Sequence, residues 1–284
     1  MKMGVVVTTY NSPRWLEKVM WGYEAQSDPD FELIIADDGS GQETAEVIER
    51  YKARGRLNIR HVWHEDDGFR KTVILNKAIV ETPCDYLAFT DGDCIPRGDY
   101  IASHKAAARP GHFVSGGLYR LTMPVSDAIT EPMVADGTAF QFETLNKLGQ
   151  TRDHKRMKLT AGPRLAHWLN RLTPTGATWN GGNSSGWKAD MVAANGFDER
   201  MQYGGLDREM GERMMNRGVK GIQARYSVIM LHLDHKRGYE NPETWAKNNA
   251  IRKNVRDNKL VWTEFGIRKD AGHGGTQDIE RRGT

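Results

Sequence analysis

Short apolar runs alternate with amphipathic stretches over the first hundred residues. Four segments are rich in apolar side chains, and each is bounded by polar or turn-forming residues. Regular alternation of strand and helix patterns is typical of βαβ units, in which helices connect parallel strands. The pattern therefore predicts an α/β fold with a mostly parallel central sheet flanked by helices, whose first strands span 3–8, 31–36, 58–63 and 86–90.

Helical patterns fill the intervals between these strands. The first helix begins with Ser12 as a candidate cap and Pro13 at the first helical position, where the missing N–H loses no hydrogen bond. The second and third are predicted over about 42–52 and 72–80. Apolar side chains then recur at helical spacing in the first helix, at Trp15, Leu16, Val19, Met20 and Tyr23.

The second half of the chain is less regular. Glycine pairs at 116–117, 181–182 and 204–205 indicate tight loops or close approach of another backbone. A helix is predicted over about 207–217, and a strand over 226–231 that ends at His232. No internal repeat or low-complexity linker is found, so one catalytic domain with a C-terminal helical extension is the simpler prediction.

Composition places the chain among ordinary globular proteins. It has 284 residues, of which 38% are hydrophobic and 27% charged, and its net charge of +3 is too small to indicate a nucleic-acid partner. The charge is uneven, because residues 1–100 carry 12 Lys and Arg against 18 Asp and Glu, which leaves about +9 on the remainder.

The densest basic stretch spans 147–171. It places Arg152, Lys155, Arg156, Lys158 and Arg164 among the apolar residues Leu159, Leu165, Trp168 and Leu169. Such a stretch can lie on an anionic membrane surface or meet an anionic acceptor, and it can equally be a solvated helix face.

Two cysteines, Cys84 and Cys94, are too few for a disulfide framework and fit a reducing compartment. The N-terminus passes directly into the first strand pattern, without the apolar region of a secretory signal. No apolar run approaches the length that spans a bilayer. We therefore expect a cytoplasmic protein, with peripheral contact at the inner face of the membrane left open.

Polar residues follow each predicted strand. In open parallel sheets, ligands bind outside the carboxyl ends of the strands, so these residues are the candidates for chemistry. They occupy 9–11, 37–40, 64–71 and 91–93.

Asp91 and Asp93 carry the most specific chemistry of these segments. Two carboxylates two residues apart on an extended segment point to the same side, and Gly92 between them permits close approach of a ligand. Oxygen ligands suit Mg²⁺ or Mn²⁺ bound together with substrate phosphates. The alternative for an isolated motif of this kind is a solvated acidic turn.

A phosphate group would have to be bound without a glycine-rich loop. The chain contains neither G-x-G-x-x-G nor G-x-x-x-x-G-K-[ST]. A metal at Asp93, supplemented by Arg70 and Lys71, would neutralise a diphosphate. Taken alone, Arg70 and Lys71 could also be surface charges at the start of a helix.

Three segments in this order, 5–11, 37–40 and 91–93, resemble the nucleotide-sugar-binding half of family-2 glycosyltransferases of the GT-A fold. Further on, 195–198 and 203–207 resemble the acceptor-side motif of the β-1,4-galactosyltransferases and polypeptide GalNAc-transferases. The resemblance covers roughly residues 3–235. It implies the GT-A fold and an inverting transfer of a sugar from a UDP-sugar donor to a hydroxyl of the acceptor.

The resemblance also implies roles for donor-side residues. Asp91 would face the ribose while Asp93 binds Mn²⁺ or Mg²⁺, and either His232 or His235 falls near the family's third metal ligand. The remaining donor-side assignments are Thr8 and Tyr10 at the uracil, Asp37 and Asp38 at the uridine, and Arg70 and Lys71 at the diphosphate.

On the acceptor side, Asp207 falls at the position of the general base, which must take the proton of the attacking hydroxyl. Its alternative is a helix cap, and the two roles are compatible. Gly205 lies beside it, and Trp187 and Trp179 are candidates for stacking on a sugar ring or for the core. Leu206 and Tyr203 depart from the galactosyltransferase pattern, which indicates a different acceptor.

We predict a single domain, 1–265, followed by a flexible tail at 266–284. By the resemblance, the domain has a nucleotide-sugar-binding half at 1–110 and an acceptor-binding half at 111–240, and the pattern of the chain adds a helical extension at 241–265. The predicted function is metal-dependent glycosyl transfer to a glycan or lipid-linked saccharide, in synthesis of a surface polysaccharide or lipopolysaccharide. A nucleotidyltransferase and a non-catalytic nucleotide-sugar- or glycan-binding module are the alternatives.

Overall fold

The strands at the centre of the molecule are apolar along their whole length because both faces of their sheet are covered. The computed structural model describes residues 1–235 and 241–269. The strands are β1 (Met3–Thr9), β2 (Glu32–Asp37), β3 (Ile59–Trp63), β4 (Tyr86–Asp91), β5 (Cys94–Pro96), β6 (His112–Arg120), β7 (Ser184–Trp187) and β8 (Lys220–His232).

Helices connect the strands. They are α1 (Pro13–Glu24), α2 (Gln42–Arg54), α3 (Lys71–Glu81), α4 (Tyr100–Ala107), α5 (Met123–Ala128), α6 (Glu131–Ala135), α7 (Phe142–Lys147), α8 (Met157–Thr160), α9 (Pro163–Leu172), α10 (Lys188–Ala193), α11 (Leu206–Asn216) and α12 (Pro242–Asp257). Two short 3₁₀ helices add Thr138–Phe140 and His154–Arg156.

Within the described residues, the strands form one sheet in the order β3-β2-β1-β4-β7-β6-β8-β5. Strands β1 to β4 pair in parallel, as the sequence predicts. Each end of these four strands lies within one residue of its predicted position. Strand β7 is antiparallel to β4 and β6, and β5 is antiparallel to β8. The α/β class and the parallel first half are therefore confirmed.

The core lies on both faces of the sheet. Val5 and Val7 belong to a buried cluster with side chains of α1 and α2, whereas Val6 belongs to a second cluster with side chains of α3 and α11. This alternation follows from the two-residue period of a strand. Trp179 lies in the second cluster with 1% of its surface exposed, so it is a core residue rather than a sugar platform.

The glycine pair at 116–117 lies inside strand β6, at an irregularity in its pairing with β8. A Cβ atom on Gly116 would lie 2.3 Å from Oδ1 of Asn183, and one on Gly117 would lie 2.0 Å from the carbonyl oxygen of Arg225. Glycine is thus required at 116 and 117 because Asn183 and the backbone of Arg225 approach β6 closely there, and not because the chain forms a loop. Strand β8 also begins earlier than the predicted strand at 226–231.

The first residues of the predicted flexible tail contact the domain. The backbone N–H of Ile267 donates to the Asn195 carbonyl at 3.0 Å, and that of Arg268 donates to Oδ1 of Asn195 at 2.8 Å. Residues 270–284 of the tail lie outside the described residues. None of the described helices is both long and apolar enough to cross a membrane.

A buried ion pair anchors helix α11. Glu209 and Arg213, one turn apart, have no exposed side-chain surface, and Nε of Arg213 lies 2.6 Å from the Glu209 carboxylate. The Arg213 guanidinium also donates to the carbonyl oxygens of Ala194 and Gly196. The pair therefore fixes α11 to the turn that follows α10.

We expect Arg213→Met to lower the free energy of unfolding by about 3–5 kcal/mol, because it leaves the Glu209 carboxylate buried without its cation. Urea unfolding followed by circular dichroism measures the change. Arg217→Met is the matched control, since Arg217 is an exposed arginine just beyond α11, and it should change stability by less than about 0.5 kcal/mol. Equal effects of the two substitutions would contradict this account.

Candidate active site

A cavity of about 730 Å³ opens at the carboxyl ends of β1, β2 and β4. Its volume is in the range of small-molecule sites. It is lined by residues that follow these strands, by the start of α11 and by the end of β8, including Thr8, Tyr10, Asp38, Lys71, Asp91, Asp93, Gly205, Asp207, His232 and His235. The sheet thus brings together most of the residues that the sequence analysis identified.

Asp91, the last residue of β4, is held by two neighbours. Its Oδ1 accepts a hydrogen bond from the Thr8 hydroxyl at 2.9 Å and lies 2.6 Å from Nζ of Lys71, the first residue of α3. Burial opposes the charge of Lys71, but attraction to Asp91 and Asp207 outweighs it and raises the pKa of the ammonium. The cavity therefore contains a permanent cation next to Asp91.

Asp93 has different partners from Asp91. Its Oδ2 lies 2.9 Å from Nε2 of His235 and 3.9 Å from Nε2 of His232. Burial alone would raise the pKa of Asp93, but the hydrogen bond with His235 and the electrostatic influence of His232 lower it below its ordinary value. The carboxylate is therefore charged and faces two imidazoles.

These side chains can hold a divalent cation. Single ligand atoms of Asp93, Cys94 and His232 lie within 4.8 Å of one another. Burial and the Asp93 charge raise the pKa of the Cys94 thiol well above its ordinary value, so the protonated sulfur is a poor ligand. Asp93 and His232 are the better donors of this group, and His235, whose Nε2 lies 2.9 Å from the Asp93 carboxylate, is a further candidate ligand. Imidazole beside a carboxylate suits Mn²⁺ more than Mg²⁺.

Asp207 lies in the first turn of α11 and faces Lys71 across the cavity. Its Oδ1 is buried and accepts no hydrogen bond from the part of the chain that the structure describes. A Cβ atom on Gly181 would lie only 2.5 Å from this oxygen, so the glycine makes room for the carboxylate. Burial raises the pKa of Asp207 to about 6, although the Lys71 ammonium acts to lower it.

A carboxyl group of this kind can take a proton near neutral pH. The pKa of an effective general base lies close to the working pH, because the base must be both unprotonated and basic enough to accept a proton. Asp207 meets this condition, and among the described residues its Oδ1 has no hydrogen-bond partner. The arrangement can therefore activate a hydroxyl group bound beside it.

Asp38 and Tyr10 also line the cavity. The Asp38 carboxylate lies 2.8 Å from Nε2 of His64 and accepts a hydrogen bond from the Arg70 backbone N–H at 3.1 Å. Burial raises the pKa of Asp38, and the His64 contact offsets only part of that effect. The Tyr10 hydroxyl donates to Asp66 at 2.9 Å.

Asp37 and Arg70 do not line the cavity, contrary to the sequence-based assignment. The Asp37 carboxylate is fully buried, where it accepts from the Ser40 backbone N–H and lies 3.0 Å from Nε2 of His61. The Arg70 guanidinium pairs with Asp67 at the surface. Asp37 thus stabilises the turn at 37–40 that follows β2. Arg70 contacts Asp38 through its backbone N–H.

Trp187 also lies away from the cavity. It is paired with Tyr86, the first residue of β4, and so sits at the opposite edge of the sheet from Asp91. Its indole N–H donates to the Arg109 carbonyl at 2.8 Å. Trp187, which the sequence analysis assigns to acceptor binding, is therefore not among the residues that line the cavity, because β7 is antiparallel to β4 and ends at the amino end of β4.

Trp245 of α12 is the cavity-lining aromatic residue that the sequence analysis missed. Its ring lies over Gly204, where a Cβ atom would be 2.8 Å away, and packs edge-to-face on Tyr203 with centroids 6.1 Å apart. Gly204 and Gly205 have positive φ angles of 108° and 77°. These backbone conformations, which glycine adopts readily, form the tight turn before α11. No spacing in the sequence connects α12 with this turn.

Comparisons with known proteins agree with this geometry. The model of the family described as Glycosyl transferase family 2 matches residues 4–151, just over half of the chain. Validoxylamine A glucosyltransferase of Streptomyces hygroscopicus subsp. jinggangensis (strain 5008) is 27% identical over 248 residues, which cover 84% of this chain and 57% of that protein.

Chondroitin synthase of Escherichia coli is 24% identical over 232 residues, which cover 76% of this chain and 32% of that protein. The chain thus spans little more than half of the first of these relatives and about a third of the second.

Solved structures share the fold. TarS 1–349 of S. aureus in complex with UDP-GlcNAc has a TM-score of 0.60 at 15% identity, covering 91% of this chain and 69% of that one. The mannosyltransferase PcManGT of Pyrobaculum calidifontis in complex with GDP-Man and Mn²⁺ has a TM-score of 0.55 at 20% identity, covering 84% of this chain and 58% of that one.

The family match at 4–151 includes nearly all of β1, the strands β2 to β6 and the acidic pair at the end of β4, and the similarity to TarS 1–349 covers 91% of the chain. This chain therefore belongs to glycosyl transferase family 2 and has the GT-A fold.

Proposed function

We propose that the chain is an inverting, metal-dependent glycosyltransferase that moves a sugar from a UDP-sugar to a hydroxyl of a glycan or lipid-linked saccharide. The observation that carries the proposal is the presence in one cavity of the Asp93–histidine group, the Lys71 cation and the Asp207 carboxylate, whose buried Oδ1 has no partner within residues 1–235 and 241–269. A role in surface polysaccharide or lipopolysaccharide synthesis is part of the proposal.

The donor nucleotide would occupy the end of the cavity formed by Thr8, Tyr10 and Asp38. The Tyr10 ring, which is half exposed, can stack on the base, and the Asp38 carboxylate can accept hydrogen bonds from it. Asp91 would meet the ribose with Oδ2, because Oδ1 is already bonded to Thr8 and Lys71. The bound UDP and UDP-GlcNAc in TarS structures of the same fold support a UDP donor.

The diphosphate would then lie between Lys71 and Asp93. Transfer breaks the bond between C1 of the sugar and the phosphate oxygen, and UDP leaves with the electron pair of that bond. The Lys71 ammonium stabilises the negative charge that develops on the leaving group. Mn²⁺ or Mg²⁺ held by Asp93 and the two histidines would supply further charge neutralisation when bound.

Asp207 would act on the acceptor hydroxyl. The hydroxyl oxygen forms its bond to C1 from the side opposite to UDP, and its proton passes to the Asp207 carboxylate. A single displacement of this kind inverts the configuration at C1. The acceptor would enter beside Gly205 and Trp245, which line the cavity next to Asp207, and the resemblance of this turn to the galactosyltransferase motif stays a prediction.

We expect Asp207→Asn to lower kcat by about 10²–10⁴-fold while leaving UDP affinity nearly unchanged, because the base acts only in the transition state. UDP release from a panel of UDP-sugars with Mn²⁺ gives kcat, and calorimetry gives the UDP affinity. Glu212→Gln is the control, since this carboxylate of α11 pairs with Arg252 outside the cavity. Loss of UDP binding in Asp207→Asn would refute the assignment.

The pH dependence should follow the pKa of Asp207. Because the base works unprotonated and its pKa is about 6, kcat/KM should fall as the pH decreases through that value. Lys71→Met removes the cation that favours the carboxylate, so the midpoint of this acidic limb should move to higher pH. The measurement is log kcat/KM against pH for the parent protein and for Lys71→Met. An acidic midpoint that stays in place or moves to lower pH in Lys71→Met would contradict the electrostatic effect of Lys71 on Asp207.

Asp93→Ala should remove the part of UDP binding that depends on Mn²⁺, because the carboxylate is the charged member of the donor set. Calorimetric titration of UDP with and without Mn²⁺ measures this difference. Cys94→Ala is the matched control, since a protonated thiol contributes no ligand and Mn²⁺ dependence should persist. If Cys94→Ala rather than Asp93→Ala abolishes it, the donor set is assigned incorrectly.

A further inference from the structure

Helix α9 exposes an apolar face to solvent. Leu165, Trp168 and Leu172, spaced three and four residues apart, have 47%, 57% and 73% of their surface exposed. This spacing places the three side chains along one face of a helix. The opposite side is fixed to the domain, because Ala166 is buried and the Asn170 side chain bonds Ser227 and the backbone of Tyr226.

Basic side chains surround this face. The segment 152–171 contains the six cations Arg152, Lys155, Arg156, Lys158, Arg164 and Arg171, of which all but Lys158 are exposed. Its one acidic residue is Asp153, whose carboxylate accepts from the Arg156 backbone N–H. We call α9 together with the preceding basic segment, residues 152–172, the α9 surface.

We propose that the α9 surface docks on an anionic lipid bilayer. Exposed leucines and a tryptophan on one helical face, flanked by arginines, match the chemistry of interfacial helices, which insert apolar side chains at the headgroup boundary. Tryptophan favours that boundary because its ring is apolar and its N–H is polar. The arginine and lysine heads are attracted to the negative lipid headgroups.

Other occupants fit less well. A second copy of the chain would bring two identical basic surfaces together, which is electrostatically unfavourable. A soluble polyanion would neutralise the cations but would leave Leu172 and Trp168 in water. A bilayer satisfies the apolar and the charged side chains at once.

The α9 surface is connected to the cavity. The Lys158 ammonium donates to the carbonyl of Leu118 at 2.7 Å, and Leu118 and Arg120 of β6 both line the cavity. Docking would therefore bring the β6 side of the cavity near the headgroups, where a lipid-linked saccharide presents its sugar. This last step rests on the proposed function, whereas docking itself does not.

Sedimentation with vesicles tests the docking. We expect the purified chain to bind vesicles of an equal mixture of phosphatidylcholine and phosphatidylglycerol, and to bind pure phosphatidylcholine at least about tenfold more weakly, since each cation near an anionic surface contributes about fivefold. Binding to the anionic vesicles should weaken as the salt concentration rises. Equal binding to both vesicles, or to neither, overturns the proposal.

Paired variants separate the two contributions. Arg164→Gln with Arg171→Gln should weaken binding about 25-fold, and Leu165→Ser with Leu172→Ser at least about tenfold. The control pair, Val80→Ser with Lys220→Gln, removes an exposed apolar residue and an exposed cation elsewhere and should bind as the parent does. If only the arginine pair matters, the surface binds polyanions in general and the bilayer assignment is wrong.

Size-exclusion chromatography of the same proteins reports self-association. A parent dimer that the Leu165→Ser with Leu172→Ser pair dissociates would assign α9 to a second copy of the chain and overturn the proposal. Calorimetry with UDP and Mn²⁺ separates the two proposals. Failure of the parent protein to bind UDP would refute the proposed function. Unchanged UDP binding together with lost vesicle binding is the result expected of the α9 variants.

Discussion

The contact between Lys71 and Asp91 is the interaction on which the cavity depends. It joins the start of α3 to the end of β4, and the Lys71 charge also acts on Asp207 at the start of α11. One cation thus compensates two carboxylates in a region of low solvent access, where an uncompensated charge would be unfavourable. Its place beside Asp91 and near Asp207 lets the same ammonium stabilise the folded cavity and, in the proposed function, the leaving diphosphate.

Much of the fold follows from the sequence because its strongest signals are local. Strands β1, β2 and β4 are buried on both faces, so their apolar runs are continuous and their ends are clear. Parallel pairing then aligns those ends, and Thr8 pairs with Ala36 on one side and with Asp91 on the other. Residues that are eighty positions apart in the chain therefore meet at one edge of the sheet.

The side chains within that edge are harder to predict. Asp37 and Asp38 are adjacent in sequence, yet Asp37 turns to His61 and Asp38 to His64 at the cavity. Which of the two aspartates lines the cavity depends on the histidines in and after β3. The sequence around β2 does not reveal where those histidines lie. Trp187 lies away from the cavity for a similar reason, because the direction of β7 is set by its pairing with β4 and β6. Trp245 lines the cavity because of the packing of α12.

The pairing of β5 with β8 also determines how the candidate cation site is assembled. Cys94 stands opposite His232, and the backbone N–H of Leu233 donates to the Asp93 carbonyl at 2.8 Å. The imidazole of His232 is therefore positioned by a ladder of hydrogen bonds rather than by a mobile loop. A shift of the β5–β8 register by one residue in either direction would place Leu231 or Leu233 opposite Cys94 in place of His232. The sheet thus holds the candidate ligand residues Asp93 and His232 in fixed relative positions.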